Sequence, residues 1–243
     1  MKLFLSLFFL ISICTTSFAG DDVTYTVDGL SYEGYYAVAE KDAPLVILIH
    51  DWDGLTGYEK IRTKMLVELG YNVFAADLFG AGIRPVEIKD KKEHTGELYK
   101  DRKKMRKLIA AALTTAEGLG LNTANAVVAG YCFGGAAVLE FARSGADVKG
   151  FVTFHGGLAT PEGQDYESAK GSYLILHGTA DSMISMSDFA NLAEQLEEKG
   201  LKHEMITYSG APHAFTVFDS KSYHKDADQK SWKQFTEWLA STL

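Results

Sequence analysis

Three residues in the second half of the chain have the types and spacing that nucleophilic catalysis requires. Cys132 lies between two glycines in the stretch Gly130–Gly134, where an apolar strand turns sharply into a helix-forming run. Asp181 follows 49 residues later, and His213 lies 32 residues beyond it. A histidine can remove the proton from a thiol, and a carboxylate can orient that histidine and stabilise its charged form. The three residues therefore predict a catalytic triad whose thiolate attacks a carbonyl carbon.

Each member of this triad has a structural alternative. Cys132 could pack as a small buried hydrophobe, and Asp181 could be an ordinary turn or capping residue. His213 competes with the histidines that end other predicted strands, which are His50, His155 and His177. Only His213 follows the last predicted strand, and nucleophile, acid, histidine is one of the chain orders in which such triads occur.

The attacked carbonyl becomes an oxyanion, which needs two hydrogen-bond donors. The N–H of Phe133, the residue after the nucleophile, is expected to supply one donor. The loop after an earlier buried strand should supply the other, and Trp52 is the residue expected there. A thiol with an ordinary pKa of about 8.5 is mostly protonated at neutral pH, and a neighbouring histidine is expected to lower that value or remove the proton.

Strands and helices alternate along most of the chain, after a predicted hairpin over residues 23–38 with its turn at Asp28-Gly29. Continuous apolar runs such as Leu45–His50 are typical of strands buried on both faces. The pattern predicts one α/β domain over residues 20–243, with a mostly parallel central sheet covered by helices on both faces. Residues 83–95 are predicted as a loop and residues 98–119 as one long helix. The segment from Phe154 to Ser172 is too short to hold a lid domain.

The N-terminus has the features of a secretory signal peptide. Lys2 is followed by an apolar run, and Ser17-Phe18-Ala19 is a small-x-small cleavage site, so residues 1–19 are predicted to be removed. The apolar run is shorter than the roughly 20 residues that a membrane-spanning helix needs. The expected location is secreted or periplasmic, without stable membrane insertion after cleavage.

Composition narrows the possible partners. The chain has 24 basic and 32 acidic residues and a net charge of −8, and it shows no basic stripe, so nucleic acid is a poor candidate partner. Removal of residues 1–19 would leave Cys132 as the only cysteine, which excludes a disulfide within the mature chain. A small-molecule substrate, no cofactor and a monomeric state are expected.

A metal site is the competing interpretation of the polar residues at the strand ends. His50, Asp51, Asp53 and His177 could ligate a cation, but the chain lacks the ligand spacings of known zinc motifs. We therefore predict no metal.

The sequence resembles the dienelactone hydrolase family of α/β-hydrolases. The matching stretches are Gly130–Gly135, His177-Gly178-x-x-Asp181, Pro212–Phe215 and residues 72–79, which end in Asp77-Leu78-Phe79. The resemblance implies the α/β-hydrolase fold and a Cys132–Asp181–His213 triad that hydrolyses esters or lactones without a cofactor.

The chain also departs from the pattern of that family. The resemblance implies a glutamate that helps to activate the thiol, and Asp51 stands at that position. It also implies two arginines for a substrate carboxylate, but Ala81 and Val217 lie near those positions. Arg84 is the candidate replacement. An enzyme that does not prefer dienelactone itself is therefore expected.

The first functional hypothesis is an exported, cysteine-dependent hydrolase of carboxylic esters or lactones that forms a thioester intermediate. A thiol-based redox-sensing or ligand-binding protein on the same fold is the alternative from another class. A peptidase or acyl transferase is the third.

Overall fold

Residues 20–243 are described by a computed structural model, and the predicted signal peptide, residues 1–19, lies outside the described residues. The strands, in chain order, are β1 (Asp21–Val27), β2 (Leu30–Ala37), β3 (Pro44–Ile49), β4 (Asn72–Ala76), β5 (Asn122–Tyr131), β6 (Gly150–Phe154), β7 (Ser172–Gly178) and β8 (His203–Tyr208). The helices are α1 (Gly57–Val67), α2 (Ile88–Lys100), α3 (Arg102–Gly118), α4 (Phe133–Arg143), α5 (Met186–Glu198) and α6 (Lys225–Thr242).

All eight strands form one sheet in the order β1-β2-β4-β3-β5-β6-β7-β8. The pairs β1–β2 and β2–β4 are antiparallel, and the strands from β4 to β8 pair in parallel. The edge hairpin turns at Asp28 and Gly29, which both have positive φ, as a two-residue turn of this kind requires. The predicted mostly parallel sheet with an antiparallel hairpin at its edge is confirmed.

Each face of the sheet packs into its own apolar core. In β3, Leu45 and Ile47 belong to the core beneath α3 and α4, while Val46 and Leu48 belong to the core beneath α1 and α6. Side chains alternate between the faces of a strand, so a strand covered on both sides must be apolar at every position. This is why β3, β4 from Val73 onward and β5 from Ala126 onward are continuous apolar runs.

The prediction of a loop over residues 83–95 was wrong, because helix α2 begins at Ile88. Only Thr95 and Leu98 of this helix are buried, so its apolar stripe is too narrow to stand out in a polar sequence. The predicted long helix over residues 98–119 is in fact the end of α2 and a separate α3. The break falls at Asp101, whose side chain accepts a hydrogen bond from the N–H of Lys104 and thereby caps α3.

The connection from β6 to β7 contains no helix or strand, which agrees with the prediction of no inserted lid there. Between residues 20 and 243, none of the helices combines the length and the apolar character needed to span a membrane.

Candidate active site

A strained turn between β5 and α4 presents Cys132. The residue has φ 52° and ψ −113°, a conformation that residues with a side chain rarely adopt. A Cβ atom on Gly134 would lie 2.5 Å from the carbonyl oxygen of His50, and one on Gly130 would overlap the backbone of Gly134. Glycine is therefore required on both sides of the turn, because the backbones of β3, β5 and α4 approach too closely for any side chain.

The loops after β7 and β8 bring two more side chains to this turn. His213 Nε2 lies 3.0 Å from Cys132 Sγ, and His213 Nδ1 lies 2.8 Å from Asp181 Oδ2. The other oxygen of Asp181, Oδ1, accepts hydrogen bonds from the N–H groups of Met183 and Ile184 at 2.8 and 2.9 Å. The structure thus brings together the three residues that the sequence singled out, in the order and geometry of a nucleophile, base and orienting acid.

Asp181 remains ionised although its side chain is fully buried. Burial acts to raise the pKa of this carboxyl group, but the hydrogen bonds from His213 and from the N–H of Ile184 outweigh that effect and lower the pKa. An ionised Asp181 holds the proton of His213 on Nδ1, which leaves Nε2 as an acceptor that faces the thiol.

The resting thiol is protonated. Burial, the carboxylate of Asp51 and, less strongly, that of Asp181 raise the pKa of Cys132 to about 12, and the N–H of Phe133 only partly offsets this. Of the two effects expected of His213, a lowered pKa of the thiol and removal of its proton, the first is not supported. A reaction of Cys132 as nucleophile therefore requires that its proton be removed during the attack.

Asp51 lies at the floor of the site. It is 7% exposed, its Oδ1 accepts the N–H of Asp53 at 2.8 Å, and it lines the same pocket as Cys132. Burial and the nearby buried carboxyl group of Glu59 raise the pKa of Asp51 to about 8. This carboxyl group is thus largely protonated at neutral pH and does not place a full negative charge against the thiol.

His50 fixes the peptide between Asp51 and Trp52. The N–H of Leu78 donates to Nε2 at 3.1 Å, so the ring proton is on Nδ1, which donates to the carbonyl oxygen of Asp51 at 2.6 Å. Burial lowers the pKa of His50 to about 4, and the ring is therefore neutral. In a trans peptide the C=O and N–H groups point in opposite directions, so the N–H of Trp52 points away from His50.

A buried polar network supports the loop that carries His213. Thr216 Oγ1 lies 2.8 Å from His155 Nε2 and 2.7 Å from the hydroxyl group of Tyr58, and its carbonyl oxygen accepts from Arg62 Nη2 at 2.9 Å. The ring of His155 also packs edge-on against that of His213, with centroids 5.4 Å apart. Neither Thr216 nor Arg62 was predicted from the sequence to support the site. His155 was noted in the sequence only as a histidine at a strand end.

Two pockets meet at Cys132. The first, the histidine-side pocket, has a volume of about 300 Å³ and runs past His213 and Ser222. The second, the helix-side pocket, has a volume of about 190 Å³ and is walled by Thr95 and Tyr99 of α2 and by Phe133. Trp52 lines both pockets. Helix α2, which the sequence analysis missed, therefore forms one wall of the cleft.

Arg84 lies elsewhere. Its Nη1 donates to the carbonyl oxygens of Ile83 and Gly80 at 2.7 and 3.3 Å, and it lines neither pocket at Cys132. The predicted contact of Arg84 with a substrate carboxylate is not supported, because its guanidinium group holds the turn after β4.

Within residues 20–243, no group of three or more His, Cys, Asp or Glu side chains is arranged to hold a metal ion.

A mostly parallel eight-stranded sheet with a cysteine at a strand-to-helix elbow, and an aspartate and a histidine on the loops after later strands, has the arrangement of the α/β-hydrolase fold. The model of the dienelactone hydrolase family matches residues 32–243. The chain belongs to this family and is an enzyme that hydrolyses ester bonds.

Relatives and solved structures resemble nearly the whole chain. A protein of Synechocystis sp. with an inferred carboxymethylenebutenolidase activity is 24% identical over 91% of this chain and 96% of its own length. Protein usf of Aquifex pyrophilus is 25% identical over 81% of this chain and 87% of its own length. A dienelactone hydrolase-like promiscuous phosphotriesterase from metagenomic libraries superposes with a TM-score of 0.85 at 24% identity, covering 92% of this chain and 98% of that one.

Proposed function

We propose that the protein is an exported, thiol-dependent hydrolase of carboxylic esters or lactones, with Cys132 as nucleophile, His213 as general base and acid, and Asp181 as the orienting carboxylate. The observation that carries the proposal is the hydrogen-bonded chain from Sγ of Cys132 through both ring nitrogens of His213 to Oδ2 of Asp181. Such an arrangement transfers a proton away from the sulfur as the sulfur attacks.

In the acylation step, the sulfur of Cys132 bonds to the carbonyl carbon while its proton passes to Nε2 of His213. The N–H groups of Phe133 and Trp52 donate to the oxyanion. The tetrahedral intermediate then collapses, the bond to the alcohol oxygen breaks, and His213 returns the proton to that oxygen. The product of this step is a thioester on Cys132 and a free alcohol, or the same molecule opened if the substrate is a lactone.

Deacylation repeats these steps with water. His213 removes a proton from a water molecule as its oxygen attacks the thioester, and the proton then returns to the sulfur. The carboxylic acid leaves and the thiol of Cys132 is restored.

The resting thiol of Cys132 is protected by its raised pKa, since oxidants and alkylating agents react with the thiolate. This protection favours a hydrolase over a redox sensor.

Hydrolysis of a small activated aryl ester tests the proposal. The Cys132→Ala and His213→Ala variants should each lower kcat/KM by at least about a thousandfold, whereas His203→Ala, a change at a histidine outside the cleft, should leave it unchanged. Mass spectrometry of a quenched reaction should show the acyl group on Cys132. Full activity in Cys132→Ala would exclude the thiol mechanism.

The choice of substrate class follows from the residues near the cleft. Alanine and valine at positions 81 and 217 offer no guanidinium group for a carboxylate next to the reacting carbonyl, which bidentate recognition requires. We therefore propose an ester or lactone other than dienelactone. Comparing kcat/KM for a panel of simple lactones and aryl esters with that for dienelactone tests this choice.

Export is the part of the proposal that depends on residues 1–19. If these residues direct secretion, the mature protein should begin at Gly20 and should be recovered outside the cytoplasm. N-terminal sequencing of the protein from cell fractions measures both. An intact Met1 on cytoplasmic protein would contradict export.

A further inference from the structure

A third pocket lies beyond the helix-side pocket and is walled by arginines. It has a volume of about 270 Å³ and is lined by Arg102 of α3, Arg143 of α4, Leu158 in the connection after β6 and Asp188 of α5. We call it the arginine pocket. It shares Tyr99, Gly157 and Ile184 with the helix-side pocket, so the two form one groove that starts at Cys132.

The arginine pocket and the cluster of side chains behind it together carry an excess of positive charge. Glu140 is fully buried. Its carboxylate accepts hydrogen bonds from Arg102 Nη1 at 3.0 Å, Arg143 Nη2 at 2.9 Å and Arg106 Nε at 2.6 Å. One carboxylate therefore faces three guanidinium groups. The carboxylate of Asp188 also lines the pocket, but its Oδ2 is already bonded to the N–H and hydroxyl group of Ser185 at the start of α5. With Arg106, which lies outside the pocket, this cluster keeps one positive charge even when Asp188 is counted, in a protein whose net charge is −8.

Arg102 is the arginine with free donors. Only its Nη1 is engaged by a side chain of the described residues, and its side chain is 27% exposed. The side chain of Arg143, in contrast, is 2% exposed. Its Nε donates a hydrogen bond to Gln164, and its Nη1 donates one to the hydroxyl group of Tyr166. Arg143 and Glu140 therefore hold Arg102 in place, and the remaining N–H groups of Arg102 are available to a ligand in the pocket.

We propose that the arginine pocket binds an anionic group at the far end of the substrate. This inference rests on the proposed hydrolase function. The substrate would lie along the groove, with its ester carbonyl at Cys132, an apolar spacer between Tyr99 and Ile184 in the helix-side pocket, and a carboxylate at Arg102. A carboxylate directly beside the reacting carbonyl would not reach Arg102, so the preferred substrates are esters with an extended apolar chain that ends in an acid.

A series of paired esters tests the proposal. One set consists of 4-nitrophenyl hemiesters of linear dicarboxylic acids of increasing length, which place the anion on the acyl side. A second set consists of acetyl esters of ω-hydroxyalkanoates, which place it on the alcohol side. Each carboxylate is paired with its neutral primary amide. At the best spacer length, the carboxylate should have a kcat/KM about tenfold or more above that of its amide, and the ratio should fall as salt is added.

Three variants separate the pocket from general damage to the fold. Arg102→Gln should remove the preference by raising KM for the carboxylate alone. Arg106→Gln is the matched control, because it removes a contact to the same Glu140 from outside the pocket and should keep the preference. Asp188→Asn should increase the preference, since it removes the opposing charge while the amide oxygen of asparagine can still accept the N–H of the N-cap residue Ser185. Opposite shifts in Arg102→Gln and Asp188→Asn cannot arise from misfolding.

The outcomes distinguish this inference from the function on which it rests. If neither the carboxylates nor the amides are hydrolysed, the proposed hydrolase function fails. If both are hydrolysed through Cys132 with equal kcat/KM at every spacer length, the hydrolase function stands and the anion subsite is overturned. A preference that survives in Arg102→Gln would also overturn it.

Discussion

At the scale of single residues, the thiol of Cys132 is held in an unreactive form. It lies 3.0 Å from Nε2 of His213, yet burial and the neighbouring carboxyl groups keep its proton in place. In the proposed mechanism, a bound ester supplies the carbonyl carbon for the sulfur, and the N–H groups of Phe133 and Trp52 supply the donors for the resulting charge. We therefore expect the thiol to be deprotonated only when there is a carbonyl to attack.

The rate of alkylation of Cys132 measures directly whether the resting thiol is protonated. Iodoacetamide should react with the resting enzyme at pH 7 more slowly than with an ordinary thiol, and the rate should keep rising above pH 9, because the thiolate appears only near a pKa of about 12. Asp51→Asn should move the rise to lower pH, since it removes a carboxylate that disfavours the thiolate. Asp147→Asn, at an exposed position remote from Cys132 in the fold, is the control. Rapid alkylation of the wild type at pH 6 would contradict a neutral thiol.

We expect His50 to act through the peptide that it holds rather than on the substrate. His50→Ala should lower kcat about tenfold to a hundredfold with little change in KM, which is less than the full loss of an oxyanion donor costs. His50→Asn should recover part of the rate, because its amide can still donate to the carbonyl oxygen of Asp51. His177→Ala removes another buried histidine at a strand end and should leave kcat almost unchanged. An unaltered kcat in His50→Ala would show that the Trp52 peptide needs no such support.

At the scale of elements, the elbow depends on close backbone packing and α2 depends on a narrow buried stripe. β3, β5 and α4 meet where glycines leave no room for side chains, so the position of Cys132 is rigidly determined. α2 packs through few side chains and yet forms the wall of the helix-side pocket. Cys132, the proposed nucleophile, therefore lies on the most constrained part of the fold, and one wall of the cleft is formed by a less constrained part.

A pair of glycine-to-alanine changes tests this contrast. Gly134→Ala would place a methyl group 2.5 Å from backbone carbonyl oxygens of Ile49 and His50, so it should lower the free energy of unfolding by more than about 3 kcal/mol and abolish hydrolysis. Gly96→Ala lies in α2 with no atom within 4 Å of the new methyl group, and should raise stability by about 1 kcal/mol. Urea unfolding measures the free energy of unfolding of both variants. Equal changes in the two variants would contradict the inference that the elbow is more tightly packed than α2.

At the scale of the whole molecule, one buried ion pair connects distant parts of the chain to the site. Arg62 of α1 pairs with Asp228 of α6, and the same guanidinium group donates to the carbonyl oxygen of Thr216 in the loop after His213. The pair is almost fully buried, at 1% and 6% side-chain exposure. It therefore links the packing of two helices on one face of the sheet to the loop that carries His213.

Removing one charge of this pair should affect both stability and activity. Asp228→Asn leaves Arg62 buried without a counter-charge, so the free energy of unfolding should fall by about 3–5 kcal/mol, and kcat should fall because the His213 loop loosens. Asp226→Asn breaks an exposed pair with Lys230 on the same helix and should change stability by less than about 1 kcal/mol. Urea unfolding and ester kinetics on the two variants decide the matter. Similar losses in both would mean that burial of the pair is unimportant.

The sequence by itself determined the parts of this protein that depend on local patterns. Continuous apolar runs predicted the buried strands, and the glycines around Cys132 predicted the elbow, because both patterns reflect steric demands on neighbouring residues. Asp181 and His213 could be identified because the ends of parallel strands meet at one edge of the sheet. The tertiary structure alone decided what depends on contacts between distant residues. It showed that α2 forms a helix with only a few buried side chains, and that Arg84 donates to backbone carbonyl groups. It also showed that burial keeps the Cys132 thiol protonated, and that three arginines surround Glu140 beside the groove. Burial and charge at a site are sums over neighbours from the whole chain, and these sums are set only when the chain has folded.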